Sequence, residues 1–179
     1  MTSAPKSSLA PNSYAFETEA LVSPHGFREY DARWLFPKEI NLNGVRLLGA
    51  SLATLIHDLK VRPRIVVAHD YRSYSMSVKH ALTIGLMQGG AEVLDIGLAV
   101  SPMAYFAQFE LDAPCVAMVT ASHNENGWTG VKMGAARPLT FGPDEMTALK
   151  TICLSGKTRD VPGGSYKVID GIREKYIAD

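Results

Sequence analysis

Cys115-Val116-Ala117-Met118-Val119-Thr120-Ala121-Ser122-His123-Asn124-Glu125-Asn126-Gly127-Trp128-Thr129-Gly130-Val131-Lys132-Met133-Gly134 decides how this chain folds. Cys115 to Val119 is a short apolar run that reads as a buried strand. Val131 to Gly134 reads as the next one, and only Ala121 to Gly130 separates them. A parallel return needs a crossover of about a dozen residues or more, usually with a helix in it. This polar, Gly-bearing link is too short, so the two strands are expected to run antiparallel. It should form a tight, exposed turn at a strand end. The turn offers the Ser122 hydroxyl, the His123 imidazole and the Asn124 amide. Strand alternation puts Val131 and Met133 on one face and Lys132 on the other, toward Ser122. Ser and Asn also satisfy local backbone groups in turns. Side-chain types alone therefore leave a plain turn and a reactive hydroxyl both open.

Working outward, Arg64 to Ala68 is rich in β-branched residues and reads as the first strand of a buried sheet. Glu92 to Ile96 reads as the second, Cys115 to Val119 as the third and Val131 to Gly134 as the fourth. Helices are expected between the first three. Val45, Leu48, Leu52, Leu55, Ile56 and Leu59 recur at helical spacing from Asn43 to Lys60, with Asn41 or Asn43 as cap and Pro63 beyond the end. Ser75 to Gln88 is the next helix, stopped by Gly89-Gly90. Ser101-Pro102 opens another, with Ser at the cap and Pro in the first turn. Pro143-Asp144-Glu145 opens the last of this series, and Gly156 ends it. The first three strands, joined by helical crossovers, should be parallel. Residues 1–20 read as a mobile lead-in, 21–156 as one α/β/α domain, and 157–179 as a linker and the start of a connection onward.

Composition narrows the functional classes. Lys plus Arg and Asp plus Glu are 18 each, so net charge is zero. That balance favours neither nucleic acid nor an anionic membrane as partner. No stretch is long and apolar enough to span a bilayer, and no apolar signal core opens the chain. The two cysteines, Cys115 and Cys153, have no metal-ligand spacing and read as buried thiols, which suggests a cytoplasmic setting.

The string from Thr120 to Lys132 resembles the phosphoserine loop of the α-D-phosphohexomutases, the phosphomannomutases and phosphoglucomutases. Thr120, Ala121, Ser122, His123, Asn124, Gly130 and Lys132 fall on that pattern with its spacing intact. Glu125 stands where the family has Pro, and Thr129 where it has Asn. Phe27, Arg28, Tyr30, Asp31 and Arg33 resemble the family's opening motif, with Trp34 in place of a Gly. Asp70 and Arg72 resemble a third segment, where a loop ion pair supporting the site is the expected role. The resemblance implies a three-layer α/β/α fold with a mixed four-stranded sheet, order 2-1-3-4, the last strand antiparallel. Ligands in such sheets bind beyond the carboxyl ends of strands at a switch point, here the loops 69–73 and 121–130.

The resemblance also implies chemistry. Ser122 would carry a phosphoryl group, pass it to a hexose monophosphate, and recover the other phosphate of the resulting hexose 1,6-bisphosphate. His123 would move a proton. Lys132 and Arg33 would offset anionic charge, and Tyr30, Arg33 and Lys132 would approach the phosphate or substrate. Mg²⁺ would take one oxygen of the Ser122 phosphate, with its remaining ligands outside this chain. The implied partners are a phosphosugar and the remaining domains of the same parent chain. Two other classes compete. A serine hydrolase lacks its Gly-x-Ser-x-Gly elbow here. A non-catalytic phosphate- or nucleotide-binding α/β domain lacks a Gly-x-Gly-x-x-Gly after a strand.

Overall fold

The computed structural model describes residues 3–179. The elements in chain order are α1 (Tyr14–Thr18), β1 (Ala32–Leu35), α2 (Leu42–Asp58), β2 (Arg64–His69), α3 (Ser75–Gln88), β3 (Glu92–Leu98), α4 (Ser101–Glu110), β4 (Cys115–Val119), β5 (Trp128–Gly134), α5 (Pro143–Ser155), β6 (Ser165–Val168) and α6 (Ile172–Ala178). They build one mixed sheet of six strands, ordered β1-β5-β4-β2-β3-β6.

The four strands expected from the apolar runs sit together in the middle as β3-β2-β4-β5. β2 pairs in parallel with both β3 and β4, and β4 pairs antiparallel with β5. The short link after β4 therefore reverses the chain, as its length requires.

The expectation of a four-stranded sheet is corrected to six strands, one added at each edge. β1 pairs antiparallel with β5, with Arg33 opposite Gly130. Its Ala32 and Trp34 are buried while Arg33 and Leu35 are half-buried. That alternation is a strand signal, but the flanking charges of Asp31 and Arg33 hide it. β6 pairs in parallel with β3. Every β6 residue is exposed, so no apolar pattern marks it. Backbone pairing alone defines it.

Two cores lie on opposite faces of the sheet. Ile65, Val67, Ala117, Val131 and Met133 face α2, α3 and α5. Val66, Ala68, Leu94, Val116 and Met118 face α4 and Ile172 of α6. Successive residues of β2 and β4 alternate between the two, which makes three layers. Asn41 caps α2, its side chain accepting from the Gly44 N–H at 2.8 Å. Its amide also donates to the carbonyls of Phe16 and Glu19, at 2.7 and 2.9 Å, tying the lead-in to α2. The N-cap of α4 is Val100 rather than Ser101, and Pro102 lies in the first turn. α2 and α3 meet at Gly49 and Gly85, where a Cβ would come within 2.1 Å of Leu82 O and 1.9 Å of Arg46 O. Only glycine permits so close a backbone approach.

Both thiols are buried, and burial pushes Cys115 and Cys153 up to about 12. They are packing groups with no thiolate at neutral pH.

Candidate functional site

The carboxyl ends of β2 and β4 lie side by side, and the loops that follow them meet. Ser122 stands exposed in the turn after β4, with φ 55. That left-handed conformation is uncommon for a residue with a Cβ and marks a position the surroundings must enforce. The Ser122 N–H donates to Thr120 Oγ1 at 3.0 Å. The exposed His123 brings Nδ1 to 3.4 Å from Ser122 Oγ. This is longer than a strong hydrogen bond, and catalytic contacts of this kind tighten when substrate is present.

Arg72 holds the start of the loop from below. Its Nη2 donates to Ser122 O at 3.3 Å and Asn124 O at 2.6 Å. The guanidinium is buried and pairs with Asp70. Asp70 accepts further from Ser75 Oγ at 2.6 Å and from the Arg72 N–H at 3.2 Å. Burial alone would raise the Asp70 pKa, but these hydrogen bonds and the Arg72 charge overcome it and hold the carboxyl below its ordinary range. Asp70 and Arg72 thus brace the site as a loop ion pair.

Arg33 reaches the loop from β1. Nη1 donates to Asn124 Oδ1 at 2.6 Å, while Nε and Nη2 donate to Asp31 Oδ2 at 2.8 and 2.7 Å. Each guanidinium nitrogen therefore already has an acceptor. Lys132 is half-buried and lies opposite Met118 in the β4–β5 register. Met118 lines the cleft that holds Ser122, so Lys132 shares the sheet face of that cleft. Among the described residues Lys132 has no ion-pair partner. Tyr30 is 62% exposed at the bend before β1.

The cleft has a volume of about 550 Å³. Ser122, Thr120, Asp70 and Arg72 form its polar side. Leu98, Val100 and Met103 form an apolar side, and Arg173 of α6 also lines the cleft. Sequence reasoning missed Arg173, because α6 reads as a connection, and missed Thr120 as the partner of the Ser122 N–H. It also missed Tyr74, whose hydroxyl accepts from the Gly127 N–H and donates to Trp128 O, both at 2.8 Å. No local pattern announces a residue that acts 53 positions away.

The family model described as phosphoglucomutase/phosphomannomutase, alpha/beta/alpha domain I, matches residues 24–160. The chain belongs to this family. As a phosphohexomutase domain I, it is 38% identical over 117 residues to a probable phosphoglucosamine mutase of Thermococcus gammatolerans. That match covers 64% of this chain and 26% of the relative. It is 32% identical over 157 residues to a phosphomannomutase of Salmonella montevideo, covering 84% of this chain and 33% of the relative. A solved phosphoglucomutase/phosphomannomutase family protein from Burkholderia thailandensis superposes with a TM-score of 0.78 at 25% identity, over 88% of this chain and 35% of that one. The phosphohexomutase domain thus spans about a quarter to a third of the length of these relatives.

The donor set of this domain does not fit a complete Mg²⁺ site. Among the described residues no group of three or more His, Cys, Asp or Glu side chains converges to hold a metal ion. Asp70, the carboxylate that lines the cleft with Ser122, is committed to Arg72 and Ser75. No described helix is long and apolar enough to cross a membrane.

Proposed function

We propose that Ser122 carries a phosphoryl group and that this domain supplies the donor in a phosphohexomutase reaction. The reaction interconverts hexose 6-phosphate and hexose 1-phosphate through a hexose 1,6-bisphosphate. The observation that carries this reading is the exposed Ser122 hydroxyl, held at φ 55 at the mouth of the cleft.

A phosphorylated serine bears about −1.5 to −2 charges at neutral pH and acts as a donor. In the first transfer the bond from Ser122 Oγ to phosphorus breaks, and one from a sugar hydroxyl oxygen to phosphorus forms. The sugar hydroxyl gives up a proton, and Ser122 Oγ gains one. His123 Nδ1 is the group within reach of Oγ to supply it. After the bisphosphate turns over, its other phosphoryl group returns to Ser122 Oγ by the reverse steps.

Transfers of this kind depend mostly on positioning and charge neutralisation. Lys132, which has no ion-pair partner among the described residues and lies opposite the cleft-lining Met118, would offset developing charge. Arg33, bonded to Asn124 of the loop, and the exposed Tyr30 would serve as substrate or phosphate contacts. The remaining domains of a longer parent chain would complete the sugar and metal sites, and no step through Mg²⁺ follows from the residues present.

The test is peptide mapping by mass after exposure to hexose 1,6-bisphosphate. Phosphate is expected on Ser122 and should be lost in Ser122→Gly. Phosphate on another residue, or none, overturns the reading.

A further inference from the structure

The Ser122 loop has little stiffness of its own. Residues 121–127 contain no proline, and Gly127 sits at φ 98 with open space around its Cα. Ser122 itself occupies an unfavourable backbone well. Such a loop holds its nucleophile in place only if other elements grip it.

One short segment, from Asp70 to Ser75, grips both ends. Arg72 holds the Ser122 and Asn124 carbonyls at the start of the loop. At the far end, the single Tyr74 hydroxyl both accepts from the Gly127 N–H and donates to Trp128 O. That uses its one proton and one lone pair in full complementarity. The Gly127 carbonyl is taken by the Phe36 N–H at 2.8 Å. The Tyr74 ring stacks on Phe36 with centroids 5.3 Å apart and planes at 25°. Tyr74 is also the N-cap residue of α3, whose backbone is locked onto α2 at Gly49 and Gly85. The grip therefore connects the loop to a rigid helix pair, with the Ser122 backbone held at the loop's entry and the residue left exposed.

We propose that Tyr74 is a positioning residue for Ser122: its hydroxyl fixes the exit of the loop and thereby the location of the nucleophile. The proposal deepens the phosphoryl-carrier reading and rests on it for the transfer rate. The bracing itself stands on geometry alone.

Tyr74→Phe tests it, because it keeps the ring and its stack and deletes only the hydroxyl. Leu149→Ala, in the buried face of α5, serves as a matched loss of stability away from the loop. Three quantities are read on each variant and on the parent chain: melting temperature, amide exchange at Gly127 relative to β4, and the rate at which Ser122 gains phosphate from hexose 1,6-bisphosphate. Tyr74→Phe should speed Gly127 exchange about tenfold, in line with the loss of a net hydrogen bond. It should slow phosphate uptake about tenfold or more, since small displacements of a reacting group are costly. Leu149→Ala should lower the melting temperature at least as much and leave the other two quantities at parent values.

Unchanged Gly127 exchange in Tyr74→Phe overturns the proposal. So does an equal slowing of uptake by Leu149→Ala, which would mean that general stability sets the rate. If the parent chain takes no phosphate while Gly127 exchange responds as expected, the carrier reading falls. Tyr74's role in transfer falls with it, and the brace remains.

Discussion

Ser122, Lys132 and Arg33, the three residues proposed to serve the phosphate, are held in place in different ways. Ser122 occupies a left-handed conformation that costs an L-residue about 1 kcal/mol. Ser122→Gly should therefore melt no lower than the parent while losing its phosphate. Lys132 and Arg33 share a sign of charge but differ in their bonds. Lys132 has no ion-pair partner among the described residues, so Lys132→Met should shift the melting temperature by only a few degrees. In an enzyme assembled with its remaining domains, it should slow turnover by about a hundredfold. The Arg33 and Asp31 side chains are only 14% and 12% exposed. Arg33→Ala should therefore cost about 1.5–3 kcal/mol in addition, because it strips charged hydrogen bonds from Asp31 and Asn124. Denaturant titration of both variants checks the contrast. Equal stabilities would mean that the Arg33 bonds contribute nothing net.

At the scale of elements, one buried network ties α3, β3 and β6 together. Lys79 of α3 pairs with Asp95 of β3, and both side chains are less than 5% exposed. Tyr166 of β6 donates to Asp95 Oδ2 at 2.6 Å, and the Gly97 N–H donates to Oδ1 at 2.8 Å. Burial alone would raise the Asp95 pKa, but the Lys79 and Tyr166 hydrogen bonds and the Gly97 N–H hold it below its ordinary range. The same bond pushes Tyr166 up to about 12. Asp95→Ala leaves a buried ammonium without its partner and should cost about 3–5 kcal/mol. Tyr166→Phe should cost about 1 kcal/mol, loosening chiefly β6, an exposed edge strand that this hydroxyl and the ladder to β3 help to pin. Urea unfolding measures both costs, and amide exchange along β6 locates the second. A Tyr166→Phe variant with β6 as protected as in the parent would show that the hydroxyl is not what holds this edge.

For the whole molecule, the buried groups that titrate on the acid side, His69, Asp70 and Asp95, all penalise acid. Burial, and then the Lys79 charge, hold His69 below its ordinary 6.5. The unfolded chain therefore binds a proton that the folded chain resists, and His69's contribution falls as pH drops from about 6.5 toward the folded value. Asp70 and Asp95 are depressed below their ordinary 3.8, so their contribution is intact above that value and lost as pH falls through the folded one. Melting temperature measured against pH should decline in two windows. His69→Asn should flatten the upper window and leave the lower one. A parent profile flat between pH 7 and 5, roughly the range flanking an ordinary His, would mean that His69 is protonated in the fold at no cost.

The sequence by itself determined the middle of this protein. Apolar runs of strand length, helical stripes and a link too short to cross over fixed four strands, their directions and the turn that carries Ser122. Each of those signals is local: burial demands apolar side chains at a set period, and chain length limits what a connection can do. The tertiary structure alone decided the edges and the fixing of the site. β6 is a strand because β3 offers it backbone partners, and nothing in Ser165-Tyr166-Lys167-Val168 requires that pairing. β1 forms because β5 has a free edge, despite the charges around Trp34. Arg72 and Tyr74 brace a loop some fifty residues away, through bonds to backbone carbonyls and one N–H. Backbone groups are identical at every residue, so a side chain that binds them leaves no complementary mark in the distant sequence. Only the fold brings the two together.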